Sequence, residues 1–226
     1  MSLKAAIFDL DGTVISDEIQ FGIAFKKILS KYKIIEKSSY PHLGGIGVRE
    51  NWEMFVKKYS LKLSESLDEI TQETINEYFR LLDQVKVKPG FFELVNELRR
   101  KNIKTALATS STKQIVIEVF KHLPIKDFFD VVTYGDDVLH KKPDPSIFIL
   151  TAERLGVLCN ECIVFEDSEA GINSAINAKM KVIGIYRDEI HRNELIGASL
   201  FINDYTQIKR FRGDKRFMCP SIFIQN

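Results

Sequence analysis

Two aspartates one residue apart, Asp9 and Asp11, end the first apolar run of the chain, in the sequence AAIFDLDGT (residues 5–13). Burying one unpaired carboxylate is costly, and two neighbouring carboxylates repel each other. The pair therefore belongs either to a solvated turn or to a site where a cation and a reaction compensate for its charge.

Polar residues also follow or end three later segments of strand-like sequence. They are Thr109 and Ser110 in ALATSS, Lys142 in KKPDP, and Glu166 with Asp167 in IVFEDSEAG. Each of them alone could be an ordinary turn residue. In a doubly wound sheet, however, the carboxyl ends of the strands share one edge, where ligands bind. The pattern therefore predicts that carboxylates, a hydroxyl and an ammonium group converge in one site.

The spacing of apolar residues predicts the elements that position these groups. Short apolar or β-branched runs predict strands, and helical patterns lie between them. This alternation indicates βαβ units, so we expect an α/β fold with a doubly wound, Rossmann-like parallel sheet. The predicted strands cover residues 4–9, 104–109, 130–134, 161–166, 181–185 and 200–203, and the predicted helices cover 91–101, 112–122, 145–155 and 169–179.

One stretch interrupts the alternation of strands and helices. Between residues 18 and 82 only helical patterns occur, at 18–32, 48–59 and 64–82. We therefore predict a core made of residues 1–16 and 86–210, with an inserted all-helical cap at residues 17–85. Residues 211–226 form a C-terminal tail that fits no element, and their structure is not predicted.

Composition narrows the function classes. The chain has 226 residues, of which 45% are hydrophobic and 28% charged, as is ordinary for a globular protein. A formal net charge of +1 argues against a dedicated binder of nucleic acids or membrane surfaces. Neither a membrane span nor a signal peptide is predicted, and three cysteines are too few for a disulfide framework. We expect a cytoplasmic monomer or weak dimer that binds neither nucleic acid nor membrane.

The combination of DLDGT with EDSEAG resembles the haloacid dehalogenase superfamily. Within it, the chain is similar to the branch of β-phosphoglucomutase and capped sugar-phosphate phosphatases. The resemblance covers approximately residues 4–203. It implies an Mg²⁺-dependent phosphatase whose substrate is a small phosphate ester, with sugar phosphates favoured, and whose reaction passes through an aspartyl-phosphate.

The resemblance also implies catalytic roles. Asp9 would be the nucleophile, and Asp11 would protonate the leaving oxygen and then deprotonate the hydrolytic water. Thr109 and Lys142 would bind the phosphoryl oxygens and offset the negative charge. Gly12 would allow a tight bend of the backbone beside the phosphate.

Further residues are implied as ligands. Mg²⁺ would be held by oxygen atoms of Asp9, Asp11, Glu166 and Asp167. Ser110 would join Gly12, Thr109 and Lys142 in phosphate binding. In the predicted cap, the glycine-rich sequence HLGGIGVRE (residues 42–50) makes Arg49 the candidate for substrate contact. The alternative for Arg49 is a solvated arginine at a helix start.

Phe21 bears on the choice between two activities. β-Phosphoglucomutase has a histidine in the first cap helix, and the matching position in this chain is Phe21. This difference favours a phosphatase, and a sugar-phosphate mutase is the alternative. A non-catalytic phospho-acceptor or binding module is less favoured, because Asp9 and Asp11 are both present.

Overall fold

The computed structural model describes residues 3–208, so the predicted tail at 211–226 lies outside the described residues. The strands are β1 (Ala5–Phe8), β2 (Ile15–Ser16), β3 (Lys86–Val87), β4 (Lys104–Ala108), β5 (Val131–Thr133), β6 (Cys162–Glu166), β7 (Lys181–Ile185) and β8 (Leu200–Ile202). The helices are α1 (Glu18–Lys31), α2 (Val48–Tyr59), α3 (Leu67–Phe79), α4 (Phe91–Arg100), α5 (Lys113–His122), α6 (Ser146–Leu155), α7 (Glu169–Asn177) and α8 (Glu189–Glu194).

Six parallel strands form the main sheet, in the order β5-β4-β1-β6-β7-β8. Strand β1 lies between β4 and β6, with Ile7 level with Ala106 on one side and Val164 on the other. All four residues of β1 are buried, as is typical of parallel strands covered by helices on both faces. The predicted α/β fold with a doubly wound parallel sheet is confirmed.

Aromatic packing on one face of the sheet supports the turn after β1. The ring of Phe8 stacks on Phe165, with centroids 4.7 Å apart, and meets Phe91 edge-on at 5.5 Å. Tyr205 packs against the same rings, and its hydroxyl donates to the carbonyl oxygen of Thr13 at 3.0 Å. The buried core thus holds the backbone of the DLDGT turn directly.

Helices α1, α2 and α3 lie between β2 and β3, a short antiparallel pair that links them to the sheet. They share an aromatic core in which Trp52 Nε1 donates to Thr74 Oγ1 at 2.8 Å and Phe25 meets Phe55 edge-on. Ser66 starts α3 with a reciprocal capping box to Glu69, which satisfies two free N–H groups. None of the helices among residues 3–208 is long and apolar enough to cross a bilayer.

Candidate active site

The carboxyl ends of β1, β4 and β6 meet around one buried lysine. Lys142 Nζ donates to Asp9 Oδ1 at 2.6 Å, to Glu166 Oε1 at 2.7 Å and to the carbonyl oxygen of Ala108 at 3.2 Å. Asp9 directly follows β1, and Glu166 is the last residue of β6. The predicted convergence of these side chains at one edge of the sheet is therefore present in the structure.

Lys142 remains charged in this position. Burial acts to lower the pKa of its ammonium group, but the carboxylates of Asp9 and Glu166 outweigh burial and raise it above the ordinary value. The ring of Phe148, 5.1 Å from the ammonium nitrogen, adds a cation–π contact. One positive charge is thus held between two negative ones with almost no access to water.

Asp9, Glu166 and Asp167 form a compact acidic cluster. One oxygen atom from each lies within 4.8 Å of the others, and all three residues are buried. Burial raises the pKa values of Asp9 and Asp167 well above the ordinary range, and the nearby charge of Glu166 raises both further. The raised pKa values mean that Lys142 alone does not compensate three ionised carboxyls here, and carboxylate oxygens are the ligands that Mg²⁺ prefers. These residues fit a hard divalent cation.

Two glycines make room for this cluster. Gly12 has a φ of +74°, and a Cβ atom there would lie 2.0 Å from Asp167 Oδ2. A Cβ atom on Gly171, in the first turn of α7, would lie 1.7 Å from Glu166 Oε1. At the start of the same helix, the backbone N–H and the hydroxyl of Ser168 donate to Glu166 Oε2 at 2.8 and 2.9 Å. Both carboxylates are therefore fixed by backbone that only glycine allows to come so close.

Asp11 is held differently from Asp9. Its Oδ2 accepts hydrogen bonds from Ser111 Oγ at 2.6 Å and from Thr109 Oγ1 at 3.4 Å, whereas its Oδ1 is buried without an N–H or O–H donor. Burial raises the pKa of Asp11, although the neighbouring Asp17 carboxyl, these hydroxyl bonds and the charge of Lys142 oppose the effect. A raised pKa is the direction in which a carboxyl becomes a better general acid near neutral pH.

A cavity next to these groups lies between the edge of the sheet and the helical segment between β2 and β3. Asp9, Asp11 and Asp167 line it from the sheet side, and Phe21 with the loop 42–48 lines it from the other side. Ser110 Oγ donates to the carbonyl oxygen of Gly45 at 2.6 Å, so the loop is bonded to the end of β4. The predicted site residue Ser110 thus contacts the loop in this structure.

A comparison with protein-family models shows to which family this chain belongs. The family model described as haloacid dehalogenase-like hydrolase matches residues 6–185. This chain belongs to the haloacid dehalogenase-like hydrolases. The match includes the acidic cluster, the helical segment and the strands of the main sheet other than β8, so the predicted family membership is confirmed.

Known members of this hydrolase family resemble the chain over most of its length. A phosphorylated carbohydrates phosphatase of Thermotoga maritima is 31% identical over 183 residues, which are 80% of this chain and 84% of the relative. A β-phosphoglucomutase of Bacillus subtilis is 29% identical over 217 residues, covering 91% and 92%. The crystal structure of a β-phosphoglucomutase from Clostridium difficile has a TM-score of 0.79 at 30% identity, covering 91% and 93%. The chain is thus similar both to a phosphatase and to mutases.

Two predicted contact residues of this haloacid dehalogenase-like hydrolase, Arg49 and Gly12, have partners within the protein. Arg49 is not among the cavity-lining residues: its guanidinium pairs with Asp68 and, at 3.5 Å, with Glu53, and its side chain is 45% exposed. In this structure the first turn of α2 places the Arg49 side chain beside acidic neighbours, and its substrate contact stays a prediction. The N–H of Gly12 donates to Asp17 Oδ1 at 3.2 Å, so it already has a partner.

Three cavity residues of this hydrolase were not predicted. Ser111 bonds Asp11, Asp17 is buried beside the DLDGT turn, and His42 stacks on Phe25 with ring centroids 5.4 Å apart. Burial, with the charge of Arg187, lowers the pKa of His42 to about 4, so its ring is neutral near pH 7. The sequence signals for Ser111 and Asp17 were weak, because a serine after a strand and an aspartate before a helix are also ordinary turn and cap residues.

Proposed function

We propose that this protein is an Mg²⁺-dependent phosphatase that hydrolyses small phosphorylated metabolites, with sugar phosphates favoured. The main support for this proposal is that two carboxyls on one turn have different surroundings. Asp9 accepts a hydrogen bond from the Lys142 ammonium, whereas one oxygen of Asp11 has no donor. Such a pair suits a nucleophile beside a general acid. The similarity to the Thermotoga maritima phosphatase supports the same substrate class.

In the first step, an oxygen of the Asp9 carboxylate attacks the phosphorus atom. The bond between phosphorus and the leaving oxygen breaks, and Asp11 gives its proton to that oxygen. Lys142 keeps Asp9 oriented through Oδ1, which leaves the second oxygen of the carboxylate for attack. The product is an aspartyl-phosphate on Asp9 and a free alcohol.

In the second step, Asp11 is a carboxylate and accepts a proton from water. The water oxygen attacks the phosphorus, the bond to Asp9 breaks, and inorganic phosphate leaves. Asp11 is then protonated again and Asp9 is a carboxylate, so the cycle is balanced. Acid–base catalysis of this kind supplies about 10²–10⁴-fold. Most of the remaining acceleration must come from positioning and from stabilisation of the phosphoryl charge.

Asp9, Asp167 and the backbone carbonyl of Asp11 would hold Mg²⁺, with Glu166 next to them. When bound, the ion supplies positive charge that lowers the pKa of the carboxylates and stabilises the phosphoryl oxygens. The chain's own contribution is to fix these carboxylates through Thr13, which donates to Asp167 Oδ1 at 3.3 Å, and through Ser168.

Phe21 favours hydrolysis over mutase activity. A mutase must protect its aspartyl-phosphate from water until a sugar hydroxyl arrives, which is easier with a hydrogen-bonding group on the cap side. Phe21 has no such group. Its ring lies against Tyr78, with parallel planes and centroids 3.8 Å apart. A sugar-phosphate mutase is the second candidate because of the similarity to the Bacillus subtilis enzyme.

The test compares the wild-type protein with Asp9→Asn and, as a control, Asp83→Asn, whose side chain is 92% exposed. With p-nitrophenyl phosphate and Mg²⁺, we expect Asp9→Asn to lose about 10⁴-fold or more in kcat, because the amide cannot act as the nucleophile. Asp83→Asn should keep wild-type turnover, and EDTA should abolish it. Retained activity of Asp9→Asn would contradict the covalent mechanism.

The same proteins are then assayed on β-glucose 1-phosphate. Release of inorganic phosphate and formation of glucose 6-phosphate are followed together, with and without a bisphosphate sugar activator. We expect phosphate release to dominate. Dominant formation of glucose 6-phosphate would make the mutase the function.

A further inference from the structure

Asp17 has an unusual position for a buried carboxylate. It precedes α1 directly, where an aspartate ordinarily accepts a hydrogen bond from an N–H of the first helical turn. Asp17 makes no such capping bond, and it is fully buried from water. Its side chain is therefore committed to other partners.

Those partners belong to two different parts of the chain. Asp17 Oδ1 accepts from the N–H of Gly12 at 3.2 Å, in the turn that carries Asp9 and Asp11. Asp17 Oδ2 accepts from the hydroxyl of Tyr78 at 2.7 Å, near the end of α3. One carboxylate thus connects the catalytic turn to a helix whose residues are 61 positions away in sequence.

Asp17 also adjoins the carboxyl of Asp11. Both carboxyls line the same cavity, and after burial the charge of Asp11 is the largest influence that raises the pKa of Asp17. The hydroxyls of Ser111 and Thr109 hold Asp11 Oδ2 from the sheet side. Asp17, which directly precedes α1, therefore adjoins Asp11, whose Oδ1 is buried without a hydrogen-bond partner.

We propose that Asp17 and Tyr78 are positioning residues that aim the Asp11 carboxyl at the leaving-group oxygen. This proposal rests on the proposed function, in which Asp11 is the general acid. Because Tyr78 lies on α3 and stacks on Phe21, the orientation of the Asp11 carboxyl depends on the position of the helical segment. Proton donation is then efficient only when that segment covers the substrate.

Tyr78→Phe removes only the hydroxyl and keeps the ring that stacks on Phe21. The experiment measures kcat/KM with Mg²⁺ for p-nitrophenyl phosphate and for phenyl phosphate. Nitrophenolate leaves readily without a proton, whereas phenol needs one. We therefore expect kcat/KM to fall about tenfold for phenyl phosphate and less than about twofold for p-nitrophenyl phosphate.

Asp17→Asn is a second variant with the same shape, and it should show the same selectivity with a larger loss on phenyl phosphate, about 10²-fold. Tyr59→Phe is the matched control, because it also removes a hydroxyl that donates to a carboxylate, Glu36, but outside the cavity lining. It should leave both esters unaffected. Thermal unfolding of each variant checks the fold.

Three results would count against these ideas, and they are distinguishable. Equal losses on both esters in Tyr78→Phe and Asp17→Asn would mean a merely structural role and would overturn the positioning proposal. Unchanged kcat/KM in both variants would overturn it as well. Absence of wild-type turnover on either ester would instead overturn the proposed function, and the positioning role with it.

Discussion

At the scale of single residues, the site depends on the charge of Lys142. Its ammonium is the partner of both Asp9 and Glu166, and all three side chains are at most 5% exposed. Because its pKa is raised above an unfolded value of about 10.4, the stability that it contributes is fully present below about pH 10. It is lost only as the pH rises through the folded-state pKa.

Lys142→Met should therefore be strongly destabilising at pH 7 in the absence of Mg²⁺. Two buried carboxylates would then face each other without a cation, and we expect the free energy of unfolding to fall by about 3–5 kcal/mol. Urea unfolding measures this change. The control is Lys4→Met, which breaks an ion pair with Glu161 that is largely exposed on the lysine side and should cost less than about 1 kcal/mol. Similar losses in the two variants would contradict the argument.

Sequence reasoning identified Asp9, Glu166 and Asp167 because each follows or ends a strand that is easily recognised. It could not identify Asp17, whose place before an amphipathic helix fits an ordinary cap and whose partner Tyr78 is 61 residues away. It selected Arg49 from a glycine-rich loop, but the side chain's direction depends on the rotation of α2 about its axis. Local sequence gives residue types at strand ends, whereas long-range hydrogen bonds require the folded chain.

At the scale of elements, a clear pattern of apolar residues was sufficient to predict the positions of helices and strands. The strand predicted at 181–185 is β7 with the same bounds, and the predicted helix at 48–59 is α2. The helix predicted at 64–82 is shorter in the structure, because the Ser66 capping box fixes its start and α3 ends at Phe79. Strands β2 and β3 were not predicted, since two residues are too few to show an alternation.

The close approach of α7 to Glu166 leads to a prediction at this scale. Glycine to alanine within a helix ordinarily stabilises by about 0.5–1 kcal/mol. In Gly171→Ala, the new methyl group would lie 1.7 Å from Glu166 Oε1 and must displace the carboxylate from Lys142. We expect the opposite sign, a loss of about 1–3 kcal/mol in the free energy of unfolding, together with reduced turnover of p-nitrophenyl phosphate.

Asn173→Ala is the control for this prediction, because it puts alanine two positions further along the same helix. It should change stability by no more than about 0.5 kcal/mol. Thermal or urea unfolding compares the two variants. Increased stability of Gly171→Ala would mean that Glu166 can move freely, against the fixed position described for it.

At the scale of the whole molecule, the question is how the helical segment is held over the sheet. The division into a core and a cap at residues 17–85 stays a prediction, and it implies that the cap moves as a unit. Specific contacts cross from the segment to the rest of the chain: Ser110 bonds the Gly45 carbonyl, and the guanidinium of Arg187 lies 4.3 Å from the centroid of the Tyr40 ring. Such contacts would favour the covered arrangement without locking it.

Arg187→Ala should shift this equilibrium toward an open arrangement. Arg187 follows β7, whereas Tyr40 lies in the loop after α1, so their cation–π contact exists only when the segment is close. A contact of this type contributes about 0.5–1 kcal/mol, which corresponds to about a two- to fivefold change in the open population. We expect a similar rise in KM for p-nitrophenyl phosphate and faster hydrogen exchange of the amides in residues 39–47.

Arg192→Ala is the matched control, because the Arg192 guanidinium lies 5.7 Å from the Tyr186 ring centroid and 5.8 Å from that of Phe201, both outside the helical segment. Equal effects of the two substitutions would mean that the Arg187 contact does not hold the segment, and the covered arrangement would then depend on the Ser110 bond and on the buried pair of Asp17 and Tyr78.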